Sequence, residues 1–193
     1  MDINHLIASR IRQLRDAQDL SLAALAERSG VSRSNISLIE RGESSATATV
    51  LDKLSAALGV TVASLFERAD EAPAPVSRAA DQPVWTDPAS GYVRRNLSPP
   101  ADSRIQLVEV NFPPGQRVSY ETAARDVDVQ QQVWLIEGSM ELTVGESHWM
   151  LSAGDCLAMH LDQPITYHNA TDKPARYLVA LVSQAHKPPR RNA

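Results

Sequence analysis

Between Ser32 and Arg41 the sequence reads SRSNISLIER, which sets Arg33, Ser34, Ser37 and Arg41 on one side of a helix and Ile36 and Ile39 on the other. Guanidinium groups and short hydroxyls on an exposed helical face match the donor and acceptor edges of bases in a major groove, and the oxygens of phosphates. On this reading Arg33, Ser34 and Ser37 contact bases and Leu38 touches a thymine methyl, while Ser32, Asn35 and Arg41 hold phosphates. A second set of polar residues lies far along the chain. If strand alternation turns Gln131 inward, Val133 and Leu135 follow it, and Ile165 and Tyr167 point the same way. Glu121, Gln131 and Tyr167 then stand as polar groups on an apolar wall, the pattern of a small-molecule pocket. The five histidines form no HxH or HxxxH pair. The single cysteine, Cys156, excludes an intramolecular disulfide and a cysteine-based zinc cluster, and is expected to be a buried apolar residue. Met140, Met150 and Met159 are expected to fill core.

The elements that position the first set are short helices. Ser21 caps a helix carrying Leu22, Leu25 and Ala26, Gly30 ends it, and Ser32 caps the helix of Ile36 and Ile39 that Gly42 closes. Residues 3–17 give an earlier helix with Ile7, Ile11 and Leu14 inward. Thr47 caps a fourth with Leu51, Leu54 and Leu58, and Thr61 a fifth with Leu65 and Phe66. Residues 69–82, ADEAPAPVSRAADQ, read as a linker that leaves the two parts free to change their relative orientation. After Trp85 helical spacing gives way to alternation. GYVRRNL, RIQLVEV, VQQQVWLIEG, SMELTV, HWMLSAG, CLAMHL, ITYHN and ARYLVALV are short runs between Pro, Gly, Asn and Asp turns, which predicts an antiparallel sandwich or barrel.

SLAALAERSGVSRSNISLIERG resembles the helix-turn-helix of the phage-repressor and Cro (XRE) family, and TVLDKLSAALGVTVASLF resembles the rest of that domain. The resemblance implies a five-helix lambda-repressor-like DNA-binding domain over residues 1–68. It also implies an ion pair between Arg15 and Glu40 that ties the first helix to the recognition helix. The chain departs from the pattern at Leu22, where the family often carries a glutamine. From PPGQ through LSAGD to NATDKPARYLVAL, with Gly115, Gly138 and Gly154 at turns, the later part resembles the cupin barrel, a double-sheet jelly roll, over about residues 105–183, which implies a cupin-like domain over residues 83–184. The family's metal ligands correspond to Glu121, Ala123, Gln131 and Ile165, a set unable to hold zinc or iron, so neither metal nor cofactor is expected. Residues 185–193 read as a disordered basic tail.

Net charge is −4, and eight bases cancel eight acids within residues 1–68, which excludes an indiscriminate nucleic-acid coat. No apolar run reaches membrane-spanning length and the N-terminus is unlike a signal peptide, so a cytoplasmic protein is expected. Together these readings describe a two-domain chain, α followed by all-β. They imply a sequence-specific transcriptional regulator, expected to repress, that binds a near-palindromic site on double-stranded DNA as a homodimer through its barrels. A small metabolite in a metal-free barrel is expected to modulate it. Two alternatives remain open at this point: a metal-dependent cupin enzyme resembling the hydroxypropylphosphonate epoxidases, and a ligand-independent, antitoxin-like dimer.

Overall fold

The structure, a computed structural model, describes residues 2–67, 73–101, 103–121 and 127–185. Four α-helices come first: α1 (Ile3–Asp16), α2 (Leu22–Ser29), α3 (Arg33–Glu40) and α4 (Ala48–Ala57). Asp2, Ser21, Ser32 and Thr47 each accept from a backbone N–H two or three residues on, supplying the partner that a helix start lacks. Gly30 adopts φ +68° at the end of α2, so the chain reverses into α3 within three residues. Ile7, Ile11, Leu25, Ile36, Ile39, Leu51 and Leu54 meet in the middle and are at most 3% exposed.

The fifth helix expected after Thr61 is a single 3-10 turn, Ala63–Phe66. Its N–H groups bond three residues back, Ser64 to Thr61 and Leu65 to Val62, and the Thr61 hydroxyl accepts from Ser64 as well. With the backbone extended again at Glu67, four residues are too few for a second α-helical turn.

The second part is two antiparallel sheets. One holds β1 (Val84–Thr86), β2 (Val93–Asn96), β3 (Ile105–Phe112), β10 (Ala175–Ala185), β5 (Val127–Glu137) and β8 (Cys156–His160), hydrogen-bonded in that order. The other runs β4 (Arg117–Tyr120), β9 (Ile165–His168), β6 (Ser139–Val144), β7 (Ser147–Ser152). Consecutive strands from β3 onward cross between sheets except at the β6–β7 hairpin, which is jelly-roll connectivity of the cupin type. Two of these strands, β1 and β4, do not stand out as alternating runs in the sequence. At Gly138, φ +83°, a Cβ would lie 2.7 Å from the Pro174 carbonyl oxygen, so the β5–β6 turn admits glycine alone.

Two burial expectations are corrected. Cys156 is exposed: it pairs with Trp134 on β5, and since Val133 and Leu135 point inward, both face outward from the sheet. Met150, on edge strand β7, is 57% exposed, whereas Met140 and Met159 are buried.

The two parts are docked, and their buried side chains form one continuous core. Phe66 meets Trp85 edge-on at 5.9 Å, and the Arg94 guanidinium lies over the Phe66 ring at 5.4 Å. The Asp87 carboxylate, from the turn after β1, accepts from Ala48 N–H at 2.9 Å and so caps α4 from across the boundary. Gln106 on β3 receives the Thr61 hydroxyl at 2.6 Å and donates to Ser64 Oγ and Glu67. Thr61, Phe66 and α4 carry these contacts, and residues 69–82 do not have to. Of that segment residues 69–72 lie outside the described residues, as do residues 186–193 of the tail.

Candidate nucleic-acid interface and interdomain cavity

The side chains of α3 divide cleanly. Ile36 and Ile39 are buried in the helical core, and Ser32, Arg33, Ser34, Leu38 and Arg41 are exposed, with Asn35 and Ser37 half-buried. Ser32 Oγ accepts from Asn35 N–H at 3.3 Å and lies 3.2 Å from Ser34 Oγ, so capping already engages one of the proposed phosphate contacts. Arg41 donates to Ser37 Oγ and, with Nε and Nη2, to both oxygens of Glu43 at 2.8 Å. The same fork of hydrogen bonds holds the Glu43 carboxyl below the usual carboxylate range. In the unbound protein Arg41 is thus held in an exposed ion pair with Glu43.

Behind the reading face, Arg15 Nε and Nη2 donate to the two oxygens of Glu40 at 2.7 and 2.9 Å, and Nη1 donates to the Leu20 carbonyl at 2.9 Å. Both side chains are largely covered, 12% and 7% exposed. The Glu40 hydrogen bond raises the Arg15 pKa above its ordinary value. The geometry joins the C-terminal end of α1 to that of α3 and fixes the angle at which α3 stands out.

Where the helical part meets the barrel, a cavity of about 80 Å³ is walled by both. Asp52 of α4 and Thr61, Val62 and Ala63 come from the helical side; Tyr92, Arg94, Tyr120, Gln131, Tyr167 and Tyr177 come from the sheets. Gln131 Nε2 donates to Tyr167 Oη at 2.6 Å, and the hydroxyls of Tyr92 and Tyr120 are 3.3 Å apart. Burial pushes the phenols of Tyr92, Tyr120, Tyr167 and Tyr177 above their ordinary range, so all four stay neutral and keep a proton to donate. At the rim Lys53 of α4 holds Glu121 at 2.8 Å, and that contact lowers the carboxyl's pKa. Among the described residues no three His, Cys, Asp or Glu side chains converge on one point.

Residues 11–65 match the family model for the helix-turn-helix designated HTH_3. The control protein C.SmaI of Serratia marcescens is 38% identical over 68 residues, 35% of this chain and 81% of its own. The chain belongs to the helix-turn-helix family of transcriptional regulators. Likeness over both parts is seen with the regulator SutR of Escherichia coli, 23% identical over 176 residues, 91% of this chain and 94% of that one. A crystal structure of an HTH_3 family transcriptional regulator from Vibrio cholerae superposes with TM-score 0.74 at 25% identity, covering 93% of this chain and 96% of the other.

In this regulator Glu121, Gln131, Ile165 and Tyr167 line the cavity, whereas Val133 and Leu135 are buried in the packed core and do not reach it. Ala123 lies outside the described residues. Pattern reading missed Asp52, Tyr92, Arg94, Tyr120 and Tyr177. A signal for Asp52 existed: in ATVLDKLSAALG small and apolar residues wrap nearly the whole helix, which marks burial on two sides. For Arg94, between Val93 and Arg95, no signal existed, because a buried arginine in a strand reads like an exposed one.

Proposed function

We propose that this protein is a sequence-specific DNA-binding transcriptional regulator whose operator affinity depends on a small molecule held in the cavity between its helical domain and its metal-free barrel. The observation that carries the reading is the placement of that cavity. Asp52 and Thr61 belong to the domain that presents α3, so a ligand touching them alters the energy of docking. A ligand that binds the DNA-competent arrangement more tightly than the other raises operator affinity by the same factor by which DNA raises its own.

Arg33, Ser34 and Ser37 read bases and Leu38, 38% exposed, packs on a thymine methyl. Arg41 exchanges Glu43 for a phosphate. Two chains pair through the outer face of the six-stranded sheet, where Trp134, 48% exposed, lies beside Leu178, Ala180, Ala158 and Cys156. Pairing sets two recognition helices about one DNA turn apart, roughly 34 Å, on a near-palindromic site.

Fluorescence anisotropy on DNA upstream of the protein's own gene tests the reading. Tight, salt-sensitive binding that Arg33→Ala abolishes and that a metabolite shifts supports it; equal affinity for random DNA at every salt concentration refutes it. Sedimentation of Trp134→Glu tests the pairing, with a monomer expected.

A further inference from the structure

Arg94 is the residue in the cavity that the fold does not explain. It is 9% exposed, and its guanidinium lies 5.4 Å over the Phe66 ring, so the helical domain covers one face of it. Its Nε is buried without a hydrogen-bond partner. Arg15 and Arg41 differ in this respect, since each grips both oxygens of a carboxylate through Nε and Nη2. A guanidinium cannot shed its proton, so one left short of acceptors at this burial carries a standing cost that an arriving acceptor relieves.

The hydroxyls around it have protons to spare. Gln131 Nε2 donates to Tyr167 Oη at 2.6 Å, so the Tyr167 proton is not used in that bond. Of the Tyr92 and Tyr120 hydroxyls, 3.3 Å apart, only one can donate to the other, and the second proton is left over. Arg94, Tyr92, Tyr120 and Tyr167 all line the cavity, which therefore presents donors in excess of acceptors. Asp52 lines it as well but is already engaged with a partner of its own. At the hydroxyls of Tyr92 and Tyr167 the positive charge of Arg94 acts more strongly than the negative charge of Asp52. A single negative charge suits that balance. A phosphate ester carries about −1.5 to −2 at pH 7 and would set the second charge against Asp52 with one guanidinium to hold it. The rest of the wall is apolar, with Val62 and Ala63 from the helical side and Val110, Ile165, Val179 and Leu181 from the sheets.

We infer that the effector is an apolar monocarboxylate, with its carboxylate on the Arg94 guanidinium and the tyrosyl hydroxyls and its hydrocarbon body against the wall of Val62, Val110 and Val179. The inference rests on the effector reading above and gives it a mechanism. The Phe66 ring covers Arg94 only while the helical domain is docked, so the guanidinium is shortest of acceptors in that arrangement. In an undocked chain water reaches it. A carboxylate therefore binds the docked arrangement more tightly, and its charge-assisted hydrogen bonds hold α3 where docking sets it.

The full-length protein is titrated calorimetrically with isovalerate and benzoate, and with isovaleramide and benzamide as uncharged counterparts of the same shape. Isopentylamine and phenyl phosphate complete the series. Titrations extend into the millimolar range, because ligands this small gain limited binding energy. Operator affinity is measured with the same compounds and with a broad metabolite mixture. At least one of the two carboxylates is expected to bind and to shift operator affinity, while its amide, the amine and the phosphate ester do neither. Arg94→Gln is expected to weaken that carboxylate about tenfold to a hundredfold, and Tyr167→Phe about fivefold. The compound series is read on the wild-type protein and decides the matter even where a variant does not fold. Binding by neither carboxylate overturns the inference, as does equal binding by an amide, the amine or phenyl phosphate, or carboxylate binding that leaves operator affinity unchanged. In each of these cases a shift caused by the mixture leaves the effector reading standing. No shift with any compound or with the mixture overturns the inference and the effector reading together.

Discussion

Replacing Asp87 with alanine tests whether helical domain and barrel are one folded unit. Asp87 is 2% exposed and accepts three hydrogen bonds, from Ala48 N–H at 2.9 Å, Ser90 N–H at 2.9 Å and Ser90 Oγ at 2.6 Å. Ala48 N–H belongs to the first turn of α4 and has no partner within the helix. Asp87→Ala strips that N–H and the Ser90 N–H of bonds to a charged acceptor worth about 1.5–3 kcal/mol each. It also removes a negative charge from the positive end of α4, worth about 0.5 kcal/mol. The Ser90 hydroxyl can rotate to another partner, and water entering the vacated site restores part of the loss. The net cost is then about 3 kcal/mol, a fall in Tm of roughly 6–12 °C for a chain of this size.

The assay is urea unfolding followed by far-UV circular dichroism for the helices and by tryptophan emission for Trp85, which is 2% exposed and packed on Phe66. The wild type is expected to show coincident transitions, and Asp87→Ala to lose helix at lower urea than it loses sheet. Asp87→Asn retains the acceptor for Ala48 but turns an amide toward the two donors of Ser90, and should fall between. A cost below 1 kcal/mol with coincident transitions would refute the claim that this carboxylate couples the domains.

Glu40→Ala leaves the Arg15 guanidinium buried on the Leu20 carbonyl and on Asp16, and should cost about 3 kcal/mol. The paired replacement Arg15→Met with Glu40→Leu should recover most of it in a thermal melt, and a double variant as unstable as the single would contradict the ion-pair account. Glu43→Gln frees Arg41 from its carboxylate and is expected to tighten binding to random DNA and to steepen its salt dependence by about one phosphate equivalent, read from affinity at 50–300 mM salt. Glu121, its pKa lowered by Lys53, stabilises the docked form above the ordinary carboxylate value of 4.5. That stability is lost as pH falls through the lowered folded value. Urea midpoints from pH 3 to 6 should therefore drop in acid, and less so in Lys53→Gln.

The reading helix was legible residue by residue. Ser21, Gly30, Ser32, Ile36 and Ile39 act within one or two turns of chain, and the structure puts each in the cap, turn or core position that its type implies. The sheets were legible because an alternating strand beside water on one face must repeat every second residue, and β3, β5, β6 and β10 do. β4 escaped notice because RVSY offers one buried residue, Val118, too short a run for a period to show. The final helical turn was over-read, since propensity in VASLF says nothing of where the chain must next turn extended.

Sequence by itself determined the family, the residues presented on α3, and four of the cavity's lining residues, since caps and alternation are local and spell themselves out in short words. Only the tertiary structure decided that the two domains share a core, that Asp87 caps a helix 39 positions earlier in the chain, and that Arg94 and Asp52 face one cavity. The physical reason is range. Hydrogen bonds and fields between residues so far apart in sequence leave no periodicity behind, and appear only when folding brings the groups within a few ångströms of one another.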